Sequence, residues 1–184
     1  MKKLAFLFTL SLLFFYGCST EDLTTTDSSI EEQNEVELRS RVIHHVSLGS
    51  NDACEALGLP PGCDANFSLA ANMRADGSVS GQWQDTFPGG GEGIHVAIDC
   101  INIVGNSAIV GGYITHGTLG GVDLTGQYAI TAVVDNGTSN NDTPDQMSFS
   151  FIEEVHGIPP DFCGYDIGGG FPLFDLTRGQ VKIW

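Results

Sequence analysis

The run of oxygen-bearing side chains between residues 135 and 145 is the strongest candidate for metal chemistry. It holds three aspartates and three asparagines, and carboxylate and carbonyl oxygens are the ligands that calcium prefers. The order of residues is not that of an EF-hand, and the same residue types are common in solvated hairpin loops, which is the alternative. No motif implies another cofactor. The predicted calcium ligands are Asp135, Asn141, Asp142 and Asp145.

Five ring-bearing residues are candidates for lining a small-ligand site. Small barrels often hold ligands in their mouths, and we expect these rings on strands of such a barrel. His95 and Asp99 lie four residues apart on one predicted strand, which separates them by about 13 Å, too far for a catalytic dyad. No nucleophile elbow, zinc-protease motif or phosphate loop is found. The candidate lining residues are Trp83, Phe87, His95, Tyr113 and Tyr128.

Strands position all of these residues. Apolar side chains alternate with polar ones along 67–73 and 79–87, and Asp76-Gly77 between the two runs is typical of a hairpin turn. Along the second run Trp83, Asp85 and Phe87 share one face. Further strands are predicted at 42–48, 94–104, 108–115, 125–134, 147–154 and 179–184. We expect residues 41–184 to form an all-β domain, an antiparallel meander closing into a barrel of about eight strands. A two-sheet sandwich is the alternative.

The same alternation predicts which side chains face the core. Gln82, Gln84, Ser148 and Ser150 should face water. The predicted interior residues are Phe67, Leu69, Trp83, Val96, Ile98, Val110, Ile130, Val134, Phe149, Phe151 and Val181.

Several short motifs lie within about residues 66–184. They are Asp76-Gly77-Ser78-Val79-Ser80-Gly81-Gln82, Ile94-His95-Val96, Cys100, Val104-Gly105-Asn106-Ser107-Ala108, Gly111-Gly112, Val134-Asp135-Asn136-Gly137 and Arg178-Gly179-Gln180-Val181. Together they resemble a widespread exported bacterial β-domain. The resemblance implies the β-fold and carries no assigned activity.

Four of the five cysteines suggest two disulfides, since exported domains commonly contain them. Cys54 and Cys63 flank a turn-rich loop, so we expect them to pair locally, which leaves Cys100 to pair with Cys163. The other connectivities remain open. A zinc site is the less favoured alternative, because the cysteine spacing is not that of a zinc knuckle.

The fifth cysteine lies in an export signal. Lys2 and Lys3 precede an apolar run from Leu4 to Tyr16, which is too short to span a bilayer as a helix. Gly17-Cys18-Ser19 then resembles the lipobox of bacterial lipoproteins, which implies cleavage before Cys18 and acylation with fatty acids such as palmitate. An ordinary secretory signal peptide is the alternative. We expect residues 1–17 to be the signal peptide and the acidic, hydroxyl-rich segment 18–40 to be a flexible tether.

The net negative charge of the chain narrows the range of partners that it can bind. Without Lys2 and Lys3, five basic side chains face 23 acidic ones, a balance that repels nucleic acid. We expect a cell-envelope protein held on the outer membrane by the lipid on Cys18. Its function is predicted to be that of a binding or structural module whose partner is a glycan, a small ligand or another envelope protein. A small-ligand or enzymatic site in the barrel mouth is the alternative.

The lipobox predicts that Cys18→Ala releases the protein from membranes. Without the thiol no diacylglyceryl group can be attached, and the acyl chains that anchor the protein are lost. Cell fractionation should find the variant in the soluble exported fraction, and labelling with radioactive palmitate should disappear. Palmitate label on the variant at the wild-type level would contradict the lipoprotein assignment.

Overall fold

A computed structural model describes residues 36–37, 40–50, 54, 58–60, 65–89, 91–137, 143–159, 162–164 and 171–184 of the chain. Val36, Glu37 and Ser40, at the end of the predicted tether, have helical backbone. Glu153–His156 forms a short helix, α1, and Phe162–Gly164 a 3₁₀ turn. The strands are β1 Val42–Ser50, β2 Phe67–Arg74, β3 Val79–Thr86, β4 Gly93–Val104, β5 Ser107–Leu119, β6 Val122–Asp123, β7 Tyr128–Val134, β8 Gln146–Ser148, β9 Phe151–Ile152, β10 Leu173–Asp175 and β11 Gln180–Ile183.

One antiparallel sheet contains all of these strands, so the predicted all-β meander is confirmed. Its order is β10-β8-β7-β5-β4-β3-β2-β1-β11, with β6 paired to β5 and β9 to β7. The nine strands of the main path curl into a half-barrel around a single large core, to which side chains from β1 to β11 contribute. The domain is therefore one curled sheet, not two stacked ones.

Glycines allow the sheet to bend tightly beside β4. Gly81 on β3 and Gly112 on β5 both pair with Ile98 on β4. A Cβ atom on Gly81 would lie 2.3 Å from the Ala70 carbonyl oxygen, and one on Gly112 would lie 2.1 Å from the Ala97 carbonyl oxygen. Because no side chain fits at either position, the strands approach here more closely than other residues allow.

The predicted alternation is confirmed along the long strands. Gln82 and Gln84 are exposed. Nine of the predicted interior residues are buried: Phe67, Leu69, Trp83, Val96, Ile98, Val110, Ile130, Val134 and Val181.

The prediction is wrong between β8 and β9. Phe149 is 46% exposed, whereas Ser148 and Ser150 are buried, and Phe151 is only half-buried. The strand is broken here, because the Ser148 hydroxyl takes the place of a backbone carbonyl and accepts the Ala132 N–H at 2.9 Å. The break reverses the predicted faces at residues 148–150.

A disulfide lies on the outer face of β4 and β5. Cys100 is bonded to Cys163, 63 residues later, which confirms that predicted pair. Cys163 packs with Ile109 and Ala132 on the side of the sheet away from the main core. Closure of so long a loop contributes about 4 kcal/mol on the chain-entropy account. Cys54 is also disulfide-bonded, and its predicted partner Cys63 lies outside the described residues.

Two aspartates complete the curl of the sheet. Trp184 exchanges both backbone hydrogen bonds with His45, so the alternation of an antiparallel ladder directs the N–H groups of Val181 and Ile183 away from β1. Asp145 Oδ2 accepts the Val181 N–H at 2.7 Å, and Asp135 Oδ2 accepts the Ile183 N–H at 3.0 Å. Carboxylates before β8 and after β7 thus take the place of a further strand beside β11.

Removal of the Asp145 carboxylate should destabilise the domain strongly. Asp145 also accepts the Asn136 N–H through Oδ1 at 2.7 Å and is 8% exposed, so Asp145→Ala leaves two enclosed donors unpaired. Urea unfolding should show a loss of about 3 kcal/mol or more. Asp175→Ala, which removes an exposed carboxylate bonded to Gln146, should cost less than about 1 kcal/mol. Equal costs for the two variants would contradict this role of Asp145.

Candidate functional site

The structure separates the five rings that were predicted to share one site. Trp83 lies in the main core, and only Phe87 lines a pocket at the mouth of the half-barrel. His95 lies on the outer face, where its ring stacks on that of His116 with 3.9 Å between centroids. Tyr113 and Tyr128 make an edge-to-face pair, and the Tyr128 hydroxyl donates to Asp99 at 3.1 Å. The five rings therefore belong to different surroundings.

The predicted calcium ligands are only partly described. Asp135 and Asp145 bind the backbone N–H groups of β11, and Asn141 and Asp142 lie outside the described residues. Within the described ranges, no group of three or more His, Cys, Asp or Glu side chains is placed to hold a metal ion. Calcium binding by the loop stays a prediction.

A pocket of about 400 Å³ opens at the mouth of the half-barrel. Val42 pairs with Arg74 at one end of the sheet, and Ser50 pairs with Phe67 at the other. The pocket lies at the second end, away from Arg41, where the predicted tether joins the domain. Its walls are mainly apolar side chains: Phe67, Phe87, Leu119, Phe149, Ile152 and Phe174.

Asp85 is the chemically distinctive residue of this pocket. It follows Trp83 on the inward face of β3, and the half-buried side chain lines the pocket among the apolar walls. The Ser150 hydroxyl donates a 2.6 Å hydrogen bond to Asp85 Oδ2 from the opposite side of the mouth. Burial raises the pKa of Asp85 from 3.8 to about 6, and the bond from Ser150 offsets part of that rise. The carboxyl therefore changes its charge close to physiological pH.

The sequence contained a signal for Asp85. The alternation along 79–87 places it on the face that carries Trp83 and Phe87, where a carboxylate interrupts an apolar pattern. An inward charge in such a pattern indicates either a partner or a site.

Two other titratable groups line the pocket. Both Glu92 carboxylate oxygens accept backbone N–H groups, from Gly120 at 2.9 Å and from Gly121 at 2.8 Å, and these bonds lower the pKa of Glu92. His156 Nδ1 accepts the Ile152 N–H at 2.8 Å, so the neutral ring carries its hydrogen on Nε2. Glu92 thus stays anionic at neutral pH. The described residues that line the pocket include no Lys or Arg.

The outer face of the sheet carries a groove of about 510 Å³ with a more polar lining. Gln82, Gln84, His95 and His116 project into it, and its floor is strand backbone. Desolvation, followed by the proximity of His116, lowers the pKa of His95. The groove presents mostly neutral polar groups and lacks the apolar enclosure of the mouth pocket.

Comparisons of the chain with known protein families, with curated proteins and with solved structures find no match. The resemblance of residues 66–184 to an exported bacterial β-domain therefore stays a prediction. In the part of the chain that the structure describes, no helix is long and apolar enough to span a membrane.

The raised pKa of Asp85 predicts a specific dependence of stability on pH. Because the folded pKa lies above the unfolded value, the stability contributed by this group is fully present below about pH 4 and is lost as the pH rises through about 6. Relative to Asp85→Asn, which keeps an acceptor for Ser150, the wild type should lose about 3 kcal/mol of unfolding free energy across that range.

Urea unfolding of both proteins between pH 4 and pH 7.5 measures this difference. Asp76→Asn, in an exposed hairpin turn at the far end of the sheet, is the matched control and should track the wild type. A difference between the wild type and Asp85→Asn that does not change with pH would show that Asp85 titrates normally.

Proposed function

We propose that the chain is a lipid-anchored protein of the bacterial cell envelope that binds a small molecule in the mouth pocket. The lipobox-like motif at Cys18 supports the location. The pocket supports the activity, since apolar walls with a few convergent polar groups are typical of small-molecule sites. The pocket also opens away from Arg41, so a ligand can reach it without passing the end that joins the tether.

The observation that carries the proposal is the enclosed carboxyl of Asp85. Its charged form is destabilised by burial, and within the described residues its one hydrogen bond comes from Ser150. A purely structural module gains nothing from such a group, because an apolar residue at the same position avoids the desolvation cost. A binding site gains a polar contact that selects its ligand.

A second candidate is glycan binding in the outer groove. The amide side chains of Gln82 and Gln84 lie beside the stacked His95 and His116 rings on an exposed face. Amides and imidazoles offer the donors and acceptors that sugar hydroxyls require. We rank this candidate second, because the groove lacks the apolar walls of the mouth pocket and, among its described residues, contains no carboxyl with a raised pKa.

A neutral fluorescent probe tests the mouth pocket directly. The mature chain from residue 18, with Cys18→Ser, should bind N-phenyl-1-naphthylamine at one site and enhance its emission. Leu119→Trp, which places a larger side chain in the pocket wall, should weaken binding at least about tenfold, equivalent to about 1.4 kcal/mol.

Val122→Trp is the matched control. Val122 pairs with Leu119 across the β5–β6 hairpin, but it is 61% exposed and does not line the pocket. The affinity of Val122→Trp for the probe should stay within about twofold of that of the parent protein. Failure of the parent to bind the probe, or equal binding by both tryptophan variants, would contradict a ligand site in the mouth.

A further inference from the structure

We infer that the ligand of the mouth pocket is a small organic cation, an alkylated ammonium group seated between the Asp85 carboxylate and the phenylalanine rings. The inference rests on the proposed function and specifies its ligand class. It follows from three properties of the pocket: the sign of its charge, the rings in its walls, and the Asp85 oxygen to which no described residue donates a hydrogen bond.

The charged groups of the pocket favour a cation. Asp85 and Glu92 are both acidic, and among the described residues no Lys or Arg lines the cavity. The negative charge of Glu92 is already stabilised by two backbone N–H groups, whereas Asp85 receives only the Ser150 hydroxyl among the described residues. A cation placed beside Asp85 offsets the cost of its burial, and an anion increases that cost.

The walls favour a cation that also carries apolar groups. Phe149 and Phe174 lie 5.2 Å apart between ring centroids at a tilt of 52°, and Phe67 and Phe87 line the same cavity. Aromatic faces attract cations through their quadrupole and also accept methyl groups, a combination suited to alkylated ammonium ions. A bare metal ion fits less well, because calcium takes six or more oxygen ligands and these rings provide none.

A bound organic cation would explain why the large apolar ring of Phe149 is exposed. Its ring projects from the break between β8 and β9, which also directs Ser150 toward Asp85. The same break thus supplies both a ring for the pocket wall and the hydroxyl that orients the carboxylate. Asp85 Oδ1 accepts no hydrogen bond from any described residue and is available to an ammonium group.

The test compares phenyltrimethylammonium with its neutral carbon isostere, tert-butylbenzene, as competitors of the bound N-phenyl-1-naphthylamine at pH 7.5. The mature chain with Cys18→Ser should bind the cation at least about tenfold more tightly than the isostere. Asp85→Asn should remove most of that preference, while its folding is checked by its thermal melt. Phosphocholine, a cation with an adjacent phosphate, should bind more weakly than phenyltrimethylammonium, which separates a free cation from a lipid headgroup.

The pH dependence identifies the responsible group. Affinity for the cation should fall as the pH drops from 7.5 to 5, because protonation of Asp85 removes the negative charge. Glu92 and His156 face the same cavity. Asp85 also lines a separate cleft, distinct from the outer groove, whose other titratable residues are Glu92, His95, His116 and Asp123. His156→Gln should keep the fall in affinity, and Asp85→Asn should lose it.

Three outcomes decide the inference. A preference for the cation that depends on Asp85 supports it. Equal displacement of the probe by cation and isostere, with Asp85→Asn unchanged, overturns the ligand class but leaves the pocket as a binding site. A preference that persists in Asp85→Asn or disappears in His156→Gln also overturns it, because the charge then acts from elsewhere.

Discussion

The hydrogen bonds that the Asp145 carboxylate accepts from the backbone are the interaction on which the rest of the structure depends. A sheet that curls without closing leaves N–H groups of its last strand unpaired, and in β11 the N–H groups of Val181 and Ile183 are directed away from β1. Asp145 takes one of them, Asp135 takes another, and the Asp145 carbonyl accepts the Leu176 N–H at 2.8 Å. These bonds hold the end of the chain against the segment that leads into β8.

That arrangement also accounts for the mouth pocket. With β8 and β9 held across the half-barrel from β3, Ser150 meets Asp85 although 65 residues separate them in the sequence. Fully buried side chains such as Trp83 and Ile94 fill the interior below. The ligand that we propose would therefore enter at the end of the half-barrel, where the packed core ends and Asp85 lies. Asp135 and Asp145, two of the predicted calcium ligands, bind backbone N–H groups, and the carboxyl with the raised pKa, that of Asp85, lies at the mouth of the half-barrel.

Local periodicity predicted most of the fold and little of the site. Long strands joined by tight turns carry their own register, so Phe67, Trp83 and Val181 were predicted correctly. The prediction failed at Ser148 and Phe149 because a hydroxyl replaces a backbone group there, which no alternation pattern reveals. The contacts of Asp145 with Val181 and of Ser150 with Asp85 are long-range, and a single sequence carries no signal for such pairs. The alternation along 79–87 placed Asp85 on the inward face, but nothing in the sequence indicated that Ser150 is its hydrogen-bond partner.

Direct titration of the Asp85 carboxyl tests the central claim that the mouth of the half-barrel encloses a functional acid. Carbon-detected NMR of the mature chain, with the resonance assigned by comparison with Asp85→Asn, follows the side-chain carboxyl from pH 3 to pH 8. Burial in the pocket predicts a midpoint near 6. A midpoint near the ordinary aspartate value of about 4 would show that water reaches the carboxyl freely, and it would contradict the account of the pocket given above.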